Sequence, residues 1–438
     1  MTRKRIAIVG AGFSGVCLAA QLAWRGRAAL RVTLIDKAPR FGLGLAYGTQ
    51  DSAHLLNVRA TNMSAFADKP DDFATWYAHR GGDAEFAPRP LYGQYLRTVL
   101  AGATGLFAPI VCRRGAVVAC VRAGQGWRLR LQGGGTLEVD AVVLATGNRR
   151  ARTLQALSDA DVPVADAWDA RALRALPKGD VLLIGTGLTM VDAALSLAAM
   201  RKGVIYALSR HGLLPRTHAK PTATAPFDPL AMPASLSAAL ALLRREAEAL
   251  MARGEPWQAV MDRLRPHTAT LWRRLPVETQ RRFLRHARTW WDVHRHRMAP
   301  SVATQIAGLQ QEGRLRVLAG EFVSATQRGR KVLVLHRQRG SMVRHRLEVA
   351  AIVNCTGPEA DVRKLADPLF EQMLSDGLMR AHPTGVGLDV DEEGRVLDAA
   401  GLAQPGLFAL GPPTQGAFWE ATAVPDIRVL AARMAQIL

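Results

Sequence analysis

Cysteine is scarce in this 438-residue chain, and none of the four is paired in sequence. Cys17, Cys112, Cys120 and Cys355 form no Cys-x-x-Cys and no zinc-ligand spacing, which weighs against a redox dithiol and a zinc site. His294 and His296 are two apart, so on a helix they share no face and make no metal pair. Long apolar runs are also missing: no stretch approaches the ~20 residues of a membrane span. The basic start, Met1 to Arg5, runs straight into a strand-like segment without the longer apolar stretch and cleavage site of a signal peptide, so a cytoplasmic protein is expected. Carboxylates are the third shortage, with 37 Asp and Glu against 57 Lys and Arg, a net charge of +20. Residues 201–350 hold 27 Lys and Arg against 10 Asp and Glu, about 17 of that excess. Such a field draws anionic small molecules, or else it is a solvated arginine-rich surface. No helix-turn-helix, zinc or RNP-type motif points to nucleic acid. Length and a 49% hydrophobic content allow two or three domains with sizeable cores.

What the chain does have is two glycine-rich turns. Gly10-Ala11-Gly12-Phe13-Ser14-Gly15 follows the apolar run Ile6-Ala7-Ile8-Val9, and Gly185-Thr186-Gly187-Leu188-Thr189-Met190 follows Val181-Leu182-Leu183-Ile184. Each predicts a buried strand, a tight turn and the first turn of a helix, which is the dinucleotide-binding fingerprint. Two of them in one chain imply two dinucleotides, most economically FAD and a nicotinamide nucleotide. In the first turn Gly10 permits the bend, Gly12 lets backbone approach a pyrophosphate, and Gly15 lets helix pack on strand, with the helix N-terminus facing the phosphate charge. Phe13 and Ser14 lie on that first helical turn. A second strand ends in Asp36-Lys37, about 20 residues on, where a carboxylate accepts hydrogen bonds from ribose hydroxyls. In the second turn Met190 replaces the third glycine and is expected to hold helix and strand slightly apart. Its second strand ends in Ser209-Arg210-His211, with no carboxylate to repel a 2′-phosphate. Arg210 there favours NADPH over NADH, or simply faces solvent.

Between the turns, the glycines of residues 41–49 suggest backbone laid against a ligand. Asn57, Asn62, Met63 and Ser64 follow as candidate flavin contacts, with turn capping as the alternative for the polar ones. Helices are expected over 71–79 and 92–100, strands over 116–122, 127–132 and 137–145, and a linker with short helices over 148–178. The third strand closes on Ala145-Thr146-Gly147, and a later one on Asn354-Cys355-Thr356-Gly357, each marking a crossing between domains. Residues 212–300 break the α/β alternation, with helices expected at 234–252, 257–265 and 277–291. This insert carries Leu214-Pro215-Arg216-Thr217-His218-Ala219-Lys220-Pro221 and Trp290-Trp291-Asp292-Val293-His294-Arg295-His296-Arg297. Trp, His and Arg together can stack on a flat anion and bond its edges, or the tryptophans pack the core while the cations are solvated. Gly411 is followed by Pro412, not by an aspartate that would hold a ribityl chain. A C-terminal helix is expected from about 420, with a start near Phe418 aimed at the flavin. The fold class is therefore α/β: two Rossmann-like units, the first from 1–150 and 351–438, the second from 178–350 with the helical insert.

Several stretches carry a family resemblance: Leu43-Gly44-Leu45-Ala46-Tyr47-Gly48-Thr49, His54-Leu55-Leu56-Asn57-Val58, Met63-Ser64-Ala65-Phe66, the Trp290–Arg297 run and Phe418-Trp419-Glu420-Ala421-Thr422-Ala423-Val424-Pro425. With these, the chain resembles the YdhS-like NAD(P)/FAD-binding proteins over nearly its full length. It is also similar to the second, non-homologous class of flavin-dependent urate hydroxylase. The resemblance implies FAD binding. The His and Trp linker signature of the N-oxide and Baeyer–Villiger monooxygenases is missing from 148–178, which has Trp168 but no histidine. The expected activity is an NADPH- or NADH-dependent flavin monooxygenase that delivers oxygen from O2 to a small anion such as urate. Arg216 and Arg295 would hold the anion, and His218 or His294 would take a proton at a pKa near neutral. The alternatives are a flavin reductase serving a quinone or partner protein, and a non-enzymatic FAD/NAD(P)-binding protein.

Overall fold

A computed structural model describes residues 3–438 except 26–28, 106–109, 150, 152–153, 155–156, 158–159, 221 and 223–226. Pro221 and seven residues of the expected linker over 148–178 lie outside the described residues.

Two parallel sheets organise the molecule. The first has six strands in the order Arg395–Leu397, Ala403–Ala409, Ala141–Leu144, Lys4–Val9, Leu30–Asp36 and Ile110–Arg114. All neighbours are parallel except the Arg395–Leu397 edge. The central run Ile6-Ala7-Ile8-Val9 is buried on both faces, the pattern of a strand covered on each side. The second sheet has the order Leu315–Ala319, Ile205–Ser209, Val181–Ile184, Ala351–Asn354 and Val164–Asp166, all parallel. Two three-stranded antiparallel sheets, Val117–Val139 and Glu321–Val349, are attached to these units.

Several sequence expectations change. The strand expected over 137–145 is two: Thr136–Val139 stays in the antiparallel sheet and Ala141–Leu144 enters the parallel one. Asp140 marks the switch, its Oδ2 accepting the Arg5 backbone N–H at 2.7 Å. Ala351–Asn354 sits in the second sheet, not the first, so the return expected at 351 falls after Asn354. Among its described residues the insert has five α-helices where three were expected: Leu236–Ala252, Gln258–Leu264, Thr268–Arg274, Val277–His286 and Arg288–Arg295. The long helix expected over 277–291 breaks at Ala287, whose N–H still bonds the Phe283 carbonyl. The last helix is Val424–Ile437, so no long helix starts at Phe418 to aim a dipole. Phe418 instead ends the single turn Gln415–Phe418, and Trp419 follows at φ +47°, the one non-glycine at positive φ among the described residues. No helix among the described residues is long and apolar enough to cross a membrane.

Candidate functional site

The two glycine turns are built alike. Each follows the central strand of its sheet, where the order turns to either side, the place where open α/β sheets bind ligands. Gly10 has φ +107°, and a Cβ there would fall on the Ala145 carbonyl oxygen of the adjacent strand end. Gly185 has φ +114°, and a Cβ there would fall on the Cys355 carbonyl oxygen. The two crossing segments, with Thr146-Gly147 and Thr356-Gly357, thus close against the two turns in the same way.

In the first crevice, Gly15 is required because a Cβ would collide with the Gly10 carbonyl. The helix Phe13–Trp24 starts at Gly12 with no side-chain cap, so its first N–H groups are left for an anion. Phe13 and Ser14 are buried on it. Asp36 accepts from Ala11 N at 2.6 Å and from Ala38 N at 2.8 Å, one bond per oxygen, leaving a lone pair on each. Lys37 beside it is exposed. The Gly42 N–H bonds the Ala11 carbonyl at 2.7 Å, which lays the loop over the turn as its glycines suggested. Gly411, at φ +80°, closes the other side; a Cβ there would displace the Ser14 hydroxyl. The Thr146 hydroxyl is buried beside the turn without a partner. An orphaned donor, uncapped N–H groups and a glycine cradle fit the pyrophosphate of a dinucleotide.

Met63 and Ser64 are both held within the first unit. Met63 is packed in the core of the first unit. The buried Ser64 hydroxyl donates to the Lys69 carbonyl at 2.6 Å and accepts from Phe66 N at 3.0 Å, so it closes its own loop. Turn capping, the alternative left open for it, is what the structure shows.

In the second crevice Gly187 caps the helix Leu188–Met200, and nothing stands within 4 Å of where its Cβ would be. Thr189 is half-buried on the first helical turn, and Met190 is fully buried in the core of this unit. Gly357, at φ +85°, also faces open space. Arg210 is exposed. The adjacent His211 accepts, at Nδ1, a 2.7 Å hydrogen bond from Arg339 Nη1. Burial first, and then Arg339 and Arg210, push the His211 pKa below its ordinary value. Arg339 was not found from the sequence; it reaches this turn from the hairpin after the strand Lys331–Arg337.

A cavity of about 750 Å³ lies where the chain leaves the first crevice on both sides. Asn57 and Asn62 line it from the segment after the loop, and Phe418 and Glu420 from the segment after Gly411. The insert contributes His218, Arg295 and Arg297. Arg295 and Glu420 are 7% and 3% exposed and 2.9 Å apart. Arg297 bonds Asp262, and Arg265 lies 2.9 Å from Asp426. Trp291 donates from Nε1 to Glu420 at 3.3 Å. His218 donates from Nε2 to the Asn57 carbonyl at 3.0 Å, while its buried Nδ1 has no partner. The near-neutral pKa expected of His218 is corrected: burial and the Arg297 charge push it down to about 4.

The four expected substrate residues do not form one cluster. His218 and Arg295 line this cavity, whereas Arg216 and His294 line a second one inside the insert. There His294 donates from Nδ1 to the Trp290 carbonyl at 2.7 Å.

No curated protein sequence matches the chain. Solved structures do match it over nearly full length. L-Lysine 6-monooxygenase from Pseudomonas syringae superposes with a TM-score of 0.71 at 16% identity, over 99% of this chain and 98% of that one. Ornithine N-hydroxylase from Kutzneria sp. 744, a complex with reduced FAD, NADP+ and L-ornithine, gives 0.68 at 16% identity, over 100% and 99%. Thioredoxin reductase from Lactococcus lactis gives 0.57 at 13% identity, over 99% and 98%. Identities this low carry the fold alone. Residues 7–149 match the FAD-NAD(P)-binding family, and the chain as a whole has the α/β fold of flavoproteins with two dinucleotide-binding units.

Proposed function

We propose that the protein is a FAD-dependent NAD(P)H oxidoreductase, a monooxygenase that places one oxygen atom from O2 on a small anionic substrate. The observation that carries this is the pair of like-built crevices beside a cavity walled by arginines and histidine. FAD supplies the redox and oxygen-activating chemistry when bound. The chain's own residues do the rest. Gly10, Gly12 and Gly15 admit the FAD pyrophosphate, Ser14 and Thr146 are near enough to the turn to bond it, and the free lone pairs of Asp36 face the ribose role. Gly185, Gly187 and Thr189 take the nicotinamide nucleotide. Arg210, His211 and Arg339 are suited to a 2′-phosphate, which favours NADPH.

At the cavity, the carbonyl of Asn57 can only accept, so His218 carries its proton on Nε2 and presents Nδ1 as an acceptor. A neutral imidazole here orients a substrate N–H or O–H and does not add charge. Arg295 and Arg297, beside their carboxylates, complete a polar wall for a planar anion, and urate is the first candidate. The described cysteines form no disulfide, and Cys17, Cys120 and Cys355 are buried, which weighs against a dithiol relay like that of a disulfide reductase.

The test is the visible spectrum of the purified protein, then NADPH and NADH oxidation with oxygen uptake over a panel of anions that includes urate. Flavin bands and substrate-stimulated, stoichiometric oxygen uptake are expected. A colourless protein overturns the flavoenzyme reading. Fast anaerobic reduction of an artificial acceptor, with only peroxide released in air, replaces the monooxygenase by a reductase.

A further inference from the structure

The helix Leu236–Ala252 runs for 17 residues yet buries only Leu250. Its apolar residues recur at Leu236, Leu240, Leu243, Ala247 and Leu250, the spacing of one helical face. That face is only partly covered: Leu243, Ala247 and Leu250 pack with Ala259 and Val260, and Leu236 packs on the Trp272–Phe283 cluster, while Leu240 stays exposed. The face forms one wall of the second cavity, about 750 Å³, whose other walls include Trp257, Trp290 and Trp291. The volume is within the ~300–1,000 Å³ of small-molecule sites. Leu240, Met251 and Trp290 remain 40%, 50% and 47% exposed at its mouth, an apolar opening of the kind that marks a ligand or partner.

The guanidinium groups around this cavity are unopposed: Arg216, Arg244 and Arg282 line it with His286 and His294, and among the described residues no carboxylate does. Elsewhere on this chain arginines are commonly matched: Arg263 with Glu246, Arg265 with Asp426, Arg297 with Asp262. Here Arg244 and Arg282 have no ion-pair partner among the described residues. An apolar interior with unpaired cations at its rim complements a molecule with an apolar body and an anionic head.

We propose that this insert cavity binds an amphipathic carboxylate, an aliphatic or aromatic acid whose chain lies along the Leu236–Ala252 stripe and whose head meets Arg244 and Arg282. The site is distinct from the cavity at Glu420; Trp291 stands between them, lining this one and bonding Glu420. It does not rest on the oxidoreductase reading, because neither glycine turn contributes to it.

The experiment is a titration of the full chain with dodecanoate and with dodecylammonium, followed by tryptophan fluorescence and calorimetry. Dodecanoate is expected to saturate one site per chain, with dodecylammonium at least about tenfold weaker. Arg244→Glu combined with Arg282→Glu, both exposed positions, should weaken dodecanoate about tenfold or more. Ala247→Trp should fill the groove and remove binding, with the circular dichroism of both variants unchanged. Equal binding of the two amphiphiles, or no binding of dodecanoate, overturns the proposal. So does a concentration-dependent dimer that Ala247→Trp dissociates, since the groove would then belong to a second copy.

Discussion

Arg295 Nη2 and Glu420 Oε2 lie 2.9 Å apart in a nearly dry setting, yet without the alignment of a hydrogen bond. Arg295 ends an insert helix, and Glu420 follows Trp419 on the C-terminal segment, so the pair fastens the insert to the first unit. Around it Trp272 stacks on Trp419 at 4.6 Å and Phe283 meets Trp419 edge-on at 5.4 Å. The aromatic contacts hold Trp419 at its unfavourable positive φ, a conformation that persists only where surroundings over-determine it.

Removing one member of this pair should therefore cost more than removing both. Arg295→Met or Glu420→Leu alone strands a buried charge and is expected to destabilise by roughly 3–5 kcal/mol. The double variant, with apolar groups on both sides, should recover most of that. Denaturant unfolding of the four proteins measures it. Additive losses would show that the two side chains do not interact.

The glycines of the two turns separate folding from binding. Gly15→Ala places a Cβ on the Gly10 carbonyl, so loss of the folded first unit and of flavin colour is expected. Gly187→Ala meets no atom within 4 Å and should fold normally. Its methyl group stands where backbone must approach a pyrophosphate. We expect the KM for NADPH to rise about tenfold, a loss on the order of 1.4 kcal/mol, with FAD content unchanged. An unchanged KM would move the nicotinamide nucleotide elsewhere.

The turns were legible in the sequence because a strand, a glycine bend and a helix start are local events whose residue types are fixed by backbone geometry. The crossing segments at Thr146 and Cys355 could be placed for the same reason. What joins distant chain was not legible. Arg339 reaches His211 across 128 positions, and Arg295 reaches Glu420 across 125, with no periodicity to announce either. The Trp290–Arg297 run was visible as a cluster, but its neighbours face different ways. Arg295 turns to Glu420 and His294 to the other cavity, because successive residues of a helix point about 100° apart. The break at Ala287 and the turn at Trp419 answer to packing, which composition does not encode.

Arg339 supplies a test of nucleotide choice. Its guanidinium bonds His211, which also feels the charge of Arg210. Arg339→Gln should raise the KM for NADPH about tenfold while leaving NADH near its original value, since only the 2′-phosphate meets these cations. Arg210→Gln should act in the same direction. A parallel loss with both nucleotides would assign Arg339 to the fold of the hairpin instead.

His218 makes stability depend on pH in a definite sense. Its pKa in the folded protein is about 4 against an ordinary 6.5, so between these values the unfolded chain binds a proton that the folded chain refuses. Stability from the buried neutral ring is complete above about pH 6.5 and is lost as pH falls toward 4. The loss is on the order of 3 kcal/mol at the acid end. His218→Gln, which keeps a donor for the Asn57 carbonyl without titrating, should flatten that part of the unfolding curve and leave stability at pH 7 little changed. The same low pKa keeps His218 from contributing an inflection near pH 6.5 to any activity profile. An NMR titration that finds the His218 ring protonating near 6.5 would remove both expectations and restore the ring as a proton acceptor poised at neutral pH.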